Sequence, residues 1–147
     1  MGPNRRGRVA LMSIRPEFAH AILEGTKTVE FRKRPVASDV SHVLIYATMP
    51  IGALLGWFVV EGQYTTEPHN LWRRFRSSGA ISKDRFFEYF SAKESGTGIR
   101  VGSVVKFEQP LLLSTLDGVG RAPQSFQYLS EEQATVFFDR QPWVERL

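Results

Sequence analysis

Charged residues in the segment from Gly25 to Arg34 have types and spacing that could support binding or catalysis. The segment reads Gly-Thr-Lys-Thr-Val-Glu-Phe-Arg-Lys-Arg, and its apolar residues, Val29 and Phe31, recur with the period of a β-strand. The apolar face can enter a core. The opposite face carries Glu30 and Arg32 and is not needed for core packing. We therefore interpret it as a binding site for an anionic or hydrogen-bonding ligand. A solvated strand face with cross-strand ion pairs, each worth about 0.2–1 kcal/mol, is the alternative.

A helix before this strand would place Lys27 at a corner of the fold. Pro16 suits the first helical position, and Gly25 suits a left-handed helix end. The residues between them carry an apolar stripe at helical spacing, formed by Phe18, Ala19, Ile22 and Leu23. Because a side chain at a helix-to-strand corner can lie in a cleft, we expect Lys27 to act in a site rather than in the core.

Four residues of this segment, Gly25, Lys27, Glu30 and Arg32, match the pattern Gly-x-Lys-x-x-Glu-x-Arg. Further matches follow in order, in residues 44–48 with Pro50, 56–60, 87–90 and 123–129. The whole set, from residue 10 to residue 129, resembles the ASCH domain family. The resemblance implies a fold similar to that of PUA domains, which is a small mixed β-barrel flanked by short helices. It also implies a cleft lined by the Lys, Glu and Arg of the signature, RNA or a nucleoside-like ligand as the partner, and a regulatory role in transcription or translation.

The position three residues after Lys27 departs from one branch of that family. Some small ASCH proteins are amidohydrolases that act on N4-acylated cytidine and carry a nucleophilic Thr there, whereas this chain has Glu30. Thr28 falls on the same face of the predicted strand as Glu30, and a Thr hydroxyl needs a positioned base before it can attack. We therefore expect weak or no activity on N4-acetylcytidine. If the chain is an enzyme, the predicted catalytic residues are Lys27, Glu30 and Thr28.

Three classes of function stay open from the sequence. We favour a protein that binds RNA or a modified nucleoside. The second class is a hydrolase, either a nucleoside amidohydrolase or a ribonuclease, that uses the same cleft. The third class is a protein-interaction module whose contact surface is the aromatic-rich segment from Trp72 to Phe90. Nothing in the sequence indicates an oligomeric state.

In the favoured interpretation Lys27 and Arg32 contact a phosphate or a carbonyl oxygen, while Glu30 accepts hydrogen bonds from a base. Side chains from other segments complete the predicted ligand-binding set: Arg15, Arg34, Tyr46, Thr48, Gln124 and Ser125. A Gln side chain donates and accepts hydrogen bonds at once, which suits reading a base edge. A core position for Tyr46 and a simple turn at Gln124 are the alternatives.

Two clusters of arginine are candidate nucleic-acid contacts. The first forms a basic N-terminal arm with Arg5, Arg6 and Arg8, and the second lies beside Trp72 and Phe75 with Arg73, Arg74 and Arg76. Basic residues near aromatic rings suit phosphate contacts combined with base stacking. A solvated helix face over a buried aromatic stripe is the alternative for the second cluster.

Composition indicates one globular domain. The chain has 147 residues, 42% of them hydrophobic, and a net charge of +4, which is compatible with nucleic acid without identifying it. We assign residues 1–9 to the arm and residues 10–147 to the domain. The absence of Cys excludes disulfides and thiolate metal sites and is compatible with a cytoplasmic protein. No apolar run approaches the ~18 residues of a membrane span. The histidines lack metal-ligand spacing, so we expect no metal, no cofactor, and surface or capping positions for His20, His42 and His69.

The elements that must position these residues follow from periodicity and capping. Strands are predicted over residues 9–14, 25–34, 43–48, 53–61, 99–107 and 111–114. Helices are predicted to begin at Pro16, at Pro68, after Ser82 and after Ser130, where Ser-Glu-Glu-Gln forms a capping box. This mixture of strands and short helices is typical of an α+β domain.

Overall fold

The computed structural model describes residues 6–140, which form one mixed β-sheet and four α-helices. The strands are β1 (Arg8–Ile14), β2 (Val29–Arg32), β3 (Val40–Ala47), β4 (Ala53–Thr66), β5 (Gly96–Leu111) and β6 (Phe126–Tyr128). The α-helices are α1 (Pro16–Glu24), α2 (Pro68–Phe75), α3 (Lys83–Tyr89) and α4 (Glu131–Arg140). The predicted α+β class is confirmed.

The six strands lie in the order β2-β5-β4-β3-β1-β6, with β1 and β3 parallel and the other neighbouring pairs antiparallel. Register shifts between β4 and β5, near Val60, bend these two long strands. The sheet therefore curls into a half-barrel, and β2 and β6 are its two edge strands. This curled sheet with flanking helices has the architecture expected of a small PUA-like barrel.

Three apolar clusters hold the helices to the sheet. The first fills the concave side, where Ala19 and Ile22 of α1 pack against residues such as Ile45 and Phe58. The second lies on the outer face of β1, β3 and β4, where α4 covers Trp57. The third lies outside β2 and β5 under α2 and α3, and comprises Val29, Phe31, Leu71, Phe75, Phe86 and Phe90. The sheet is thus covered on both faces.

Helix ends follow the predicted capping signals. Gly25 ends α1 with a φ of 89°, a left-handed conformation that glycine adopts without strain. The Ser82 hydroxyl accepts a hydrogen bond from the N–H of Arg85 at the start of α3. At the start of α4, Ser130 and Gln133 exchange side-chain-to-backbone hydrogen bonds of 2.8 and 3.0 Å, which confirms the capping box.

Strand β2 is shorter and more buried than the alternating pattern predicted. Gly25 and Lys27 donate backbone hydrogen bonds to the end of α1, and Thr28 donates to the carbonyl of Ser78, so the ladder starts only at Val29. All four residues of β2 are buried, because α3 covers one face and the cleft described below encloses the other. The charged face lines the cleft and is buried there, so the alternative of a solvated strand face was wrong.

Two other segments differ from the predicted elements. The strand predicted over 111–114 is instead the end of β5 followed by a single 3₁₀ turn at Leu113–Thr115. Just after Gln124 and Ser125, where we predicted no strand, Phe126–Tyr128 pairs with β1 as an edge strand. A three-residue strand carries too short an alternation for the sequence pattern to reveal it.

The aromatic rings of the segment from Trp72 to Phe90 do not form an exposed contact surface. Phe75, Phe86 and Phe90 are buried, and Trp72 is half-buried against Phe86. None of the large hydrophobic side chains that are exposed in residues 6–140 belongs to this segment. These rings are used to attach α2 and α3 to the sheet, which corrects the surface we predicted for a protein partner.

His42 was expected at the surface, but it is buried on β3. Its ring lies 5.0 Å from the ring of Trp57 and 5.5 Å from that of Phe138, in edge-to-face arrangements. The hydroxyl of Ser41 lies 2.7 Å from Nδ1. Burial, reinforced by the charge of Arg6, lowers the pKa of His42 from 6.5 to about 4.

Candidate functional site

A cleft of about 480 Å³ opens at the seam of the half-barrel, beside edge strand β2. A volume of this size accommodates a small organic ligand such as one nucleotide. Five of the lining residues are basic, namely Arg15, Lys27, Arg32, Lys33 and Arg85. Two are acidic, namely Glu30 and Glu88. The remaining lining residues are Ser13, Phe18, Phe31, Thr48, Ile81, Tyr89 and Gln124. The cleft therefore offers an excess of positive charge together with aromatic rings.

The floor of the cleft is a row of three buried charges at the start and on one face of β2. Lys27, Glu30 and Arg32 are 2%, 4% and 8% exposed. Glu30 lies between the two cations, with Oε1 3.7 Å from the ammonium of Lys27 and Oε2 accepting a 3.0 Å hydrogen bond from Arg32. The row carries one net positive charge when all three groups are ionised, so it can attract an anion.

Lys27 is held at the helix-to-strand corner by several groups. Its ammonium donates a hydrogen bond to the carbonyl of Gly79, in the turn that follows α2. It also lies 4.9 Å from the ring centre of Phe18 and 5.2 Å from that of Phe31, which are cation–π distances. Burial lowers the pKa of Lys27, although Glu30 opposes the shift. Lys27 thus has both a structural and a site position, whereas we had expected a site position alone.

Arg32 joins the two sides of the seam. One guanidinium nitrogen donates to the carbonyl of Ser13 on β1 at 3.3 Å, and the other donates to the hydroxyl of Ser125 just before β6 at 2.7 Å. Its Nε is buried and has no hydrogen-bond partner within the described part of the chain. Arg32 therefore links edge strand β2 to the opposite edge, while its Nε is left as a buried donor.

The mouth of the cleft is framed by α1 and α3. Arg85 on α3 makes two hydrogen bonds of 2.7 and 3.1 Å with the carboxylate of Glu17 on α1. Its guanidinium also lies 4.9 Å from the ring centre of Phe18. On the same side, Lys33 lies 4.7 Å from the ring centre of Tyr89, and burial raises the pKa of that tyrosine. Basic groups and aromatic rings thus alternate around the entrance.

The structure brings most of the predicted ligand-binding residues together. Arg15, Thr48 and Gln124 line the cleft with the three signature residues. Ser125 reaches it through its hydrogen bond with Arg32. Although Gln124 and Ser125 lie more than ninety residues after Arg32 in the sequence, the curl of the sheet places them across the seam.

Besides Ser125, the predicted residues Thr28, Arg34 and Tyr46 do not line the cleft. Thr28 is exposed, because it precedes β2 and the alternation that would place it beside Glu30 does not extend to it. Arg34 is exposed beyond the end of β2. Tyr46 packs against the second apolar cluster, next to a register shift between β3 and β4. The core alternative considered for Tyr46 therefore fits its position.

Sequence reasoning missed the residues that α3 contributes. Ile81, Arg85, Glu88 and Tyr89 line the cleft, yet they lie about fifty residues from the signature. The one signal was the family match at residues 87–90, which we had interpreted as part of a protein-contact surface. Phe18 and Lys33 were also missed as ligand contacts.

The N-terminal arginines are partly attached to the domain. Arg5 lies outside the described residues. Arg6 bonds to Glu131 and Thr135 on α4, and Arg8, which begins β1, forms a 3.2 Å ion pair with Asp39. The division into an arm over residues 1–9 and a domain over residues 10–147 stays a prediction.

Within residues 6–140, no three His, Cys, Asp or Glu side chains lie close enough together to hold a metal ion. No described helix is both long and apolar enough to cross a membrane.

Comparison with known proteins agrees with the fold. The model of a family described as the ASCH domain matches residues 12–106. A protein of Zymomonas mobilis subsp. mobilis described as an ASCH domain-containing ribonuclease is 31% identical over 131 residues, covering 84% of this chain and 86% of that protein. The crystal structure of ASCH from Zymomonas mobilis superposes with a TM-score of 0.82 at 29% identity, covering 90% of this chain and 94% of that chain.

A more distant structure resembles the fold alone. The N-terminal domain of Staphylothermus marinus McrB superposes with a TM-score of 0.56 at 14% identity, covering 95% of this chain and 100% of that chain. The half-barrel is therefore a scaffold that chains with few residues in common also adopt.

Proposed function

This chain belongs to the ASCH domain family, and from that premise we propose that it binds single-stranded RNA, with one nucleotide enclosed in the cleft at the seam of the half-barrel. The observation that carries the proposal is the buried row Lys27, Glu30 and Arg32 at the floor of that cleft. Burying three charges is costly, and here each has at least one charged partner. Such a row is well suited to fix the position of a polar, anionic ligand.

Each part of a nucleotide has a complementary group in the cleft. Arg32 and Lys27 supply positive charge for a phosphate. Tyr89 and Phe18 offer ring faces on which a base can stack. Gln124, which both donates and accepts, can read the edge of a base. A modified nucleoside as the ligand, and a regulatory role in transcription or translation, are finer proposals that rest on the family resemblance.

Cleavage of the bound RNA is the second candidate function, and the relative described as a ribonuclease favours it. A general acid or base works best when its pKa lies near the operating pH, and burial lowers the pKa of Lys27 in that direction. In this role Lys27 would exchange a proton with the attacking or leaving oxygen of the phosphodiester, while Arg32 would neutralise charge on the phosphate.

The amidohydrolase alternative receives less support from the geometry. Thr28, the hydroxyl that this hypothesis uses as nucleophile, is exposed and outside the cleft lining. Glu30, in the position of the family's Thr, is held by both Lys27 and Arg32. We therefore keep the expectation of weak or no release of cytidine from N4-acetylcytidine.

Binding and cleavage can be tested together with a 5′-labelled single-stranded RNA. The informative variant is Lys33→Ala with Arg85→Ala, because both side chains line the cleft without filling the core. The matched control is Lys106→Ala with Arg121→Ala, which removes two exposed charges outside the cleft. We expect the cleft variant to bind RNA more weakly than the control. Equal affinity of the two variants would contradict the cleft as the RNA site, and cleavage products from the wild type alone would establish the second candidate.

A further inference from the structure

A second basic and aromatic surface lies outside the cleft, where α2 packs on the outer face of β4 and β5. We call it the α2 surface and define it by Arg73, Arg74, Arg76, Arg100 and Tyr64. All five residues are exposed. The surface therefore presents positive charge and a ring to the solvent in one place.

The arginines of α2 have no acidic partner in the described part of the chain. Arg73 donates a hydrogen bond to Asn70, Arg74 lies over Tyr64, and Arg76 is exposed after the last turn of α2. None of the three lies within 4.0 Å of a carboxylate of residues 6–140, whereas Arg6, Arg8, Arg32, Arg85 and Arg100 each do. Arg73 and Arg74 lie in the last turn of α2 and Arg76 follows it, where the helix dipole favours basic residues, but that effect is small at an exposed position. The three charges are therefore available to an anionic partner.

Tyr64 supplies a ring with open space beside it. Its side chain is 39% exposed, and the guanidinium of Arg74 lies 4.3 Å from its ring centre. Two residues away on the same strand face, Gly62 has no atom of residues 6–140 within 4 Å of where a side chain would begin. Across the ladder from Gly62 lies Arg100, which forms a long ion pair of 3.9 Å with exposed Glu61. A flat, open area bordered by a ring and arginines is suited to a base and its phosphates.

The α2 surface is close to the cleft. Phe31, which lines the cleft, is in register with Gly98, and Gly98 is in register with Tyr64. Two strand spacings separate the ends of this row, which is about 10 Å. From the other direction, Gly79 accepts the hydrogen bond of Lys27 and lies three residues after Arg76. An RNA strand with one nucleotide in the cleft therefore needs to cross only a short distance to reach these arginines.

We propose that the α2 surface is a second contact for the RNA strand held in the cleft. Arg73, Arg74 and Arg76 bind phosphates of the flanking nucleotides, and Tyr64 stacks with one of their bases. The proposal rests on the proposed function and extends it, because it makes affinity depend on the length of the RNA. Short ligands use the cleft alone, and longer strands use both sites.

The test compares a dinucleotide with a single-stranded RNA of about 12 nucleotides, a length within the range of known single-strand sites. The variant is Arg73→Gln, Arg74→Gln and Arg76→Gln, which keeps long side chains on the helix and removes three charges. The matched control, Lys93→Gln, Lys106→Gln and Arg121→Gln, removes three charges from exposed positions outside both sites. Binding is measured at several salt concentrations for the wild type and both variants.

We expect the α2 variant to lose affinity for the longer RNA and to retain wild-type affinity for the dinucleotide. Its slope of log affinity against log salt should be shallower by about 2, since each phosphate contact on a single strand contributes about 0.7. An equal loss in the α2 and control variants, or wild-type affinity in the α2 variant, would overturn the second contact while leaving the cleft proposal intact. If the wild type binds neither RNA, both proposals fail.

Discussion

The charges on β2 show how a single residue can serve the fold and the site at once. Lys27 is nearly fully buried, yet its ammonium reaches a carbonyl, a carboxylate and two rings. Buried polar groups are tolerated when their hydrogen bonds are made, and removing one partner leaves the other unsatisfied. Substitutions at Lys27 should therefore change both stability and ligand binding.

We predict that Lys27→Met lowers the free energy of unfolding by about 1–3 kcal/mol, because the Gly79 carbonyl loses its partner while the stem volume is kept. Lys33→Met, at the exposed position beyond β2, is the control and should stay within about 0.5 kcal/mol of the wild type. Urea denaturation measures both. A Lys27→Met protein as stable as the control would mean that the buried ammonium contributes nothing to the fold.

Lys27 should also make stability depend on alkaline pH. Its pKa in the folded state is lowered from 10.5 by burial, so the unfolded chain binds more protons between the two pKa values. Stability from this group therefore rises as pH increases through that window. The difference in unfolding free energy between the wild type and Lys27→Met should shift in favour of the wild type as the pH is raised from neutral towards 10.5. A difference that is constant over this range would contradict the lowered pKa.

His42 should make stability depend on acidic pH. Its folded pKa of about 4 lies below the ordinary 6.5, so protons bind preferentially to the unfolded chain between these values. Stability is then lost as pH falls from 6.5 towards 4, by at most about 3 kcal/mol for this residue. His42→Phe keeps a ring between Trp57 and Phe138 and should lose less stability over that range than the exposed control His20→Asn. Equal acid sensitivity in the two variants would rule out His42 as the source.

Among the elements, α1 and α3 determine how open the cleft is. They meet across its mouth through the ion pair of Glu17 and Arg85, which hydrogen bonding keeps in the charged form by lowering the pKa of Glu17. Arg85 thus lines the cleft while it is paired with a neighbouring carboxylate. A phosphate at the mouth would compete with Glu17 for this guanidinium.

We predict opposite effects from the two partners of that ion pair. Glu17→Gln releases Arg85 and removes a negative charge, so it should increase the affinity for single-stranded RNA. Arg85→Ala removes a phosphate contact and should lower the affinity. Fluorescence anisotropy at low salt measures both, since exposed charges are weakly screened there. A decrease in affinity for both variants would indicate that the ion pair matters only through the position of α3.

Elements with local signals were predictable from the sequence, whereas the cleft wall was not. Pro16, Gly25 and Ser130 determine helix ends through interactions within a few residues, and the structure confirms them. The burial of Glu30 depends on α3 and on the turn at Gly79, which the chain brings to β2 from about fifty residues away. Period-two alternation gives the two faces of a strand, but not what covers each face.

At the scale of the whole molecule, a modest net charge of +4 is concentrated in specific places. The cleft and the α2 surface both carry an excess of arginine and lysine, while Arg6 and Arg8 are used for ion pairs within the domain. The affinity for RNA should therefore depend on how many basic side chains of the cleft and the α2 surface contact RNA phosphates, rather than on the net charge of the protein.

The salt dependence of binding gives that number. If the cleft contacts two phosphates of the RNA, the slope of log affinity against log salt should be about −1.4. If three arginines of α2 contact three further phosphates, the slope should be about −3.5. A titration with a labelled single-stranded RNA measures the slope. A flat response would remove phosphate contacts, and with them RNA, as the basis of binding.

Edge strand β2 has a further consequence for the behaviour of the protein at high concentration. An unpaired strand edge is a template for sheet extension by a second molecule, which leads to aggregation. Glu30 and Arg32 face inward from this edge, and Arg32 occupies it by bonding across the seam to Ser13 and Ser125. A strand from another molecule could pair with this edge only if the hydrogen bonds of Glu30 and Arg32 were broken. The same side chains that shape a ligand cleft thus protect the open side of the half-barrel from self-association.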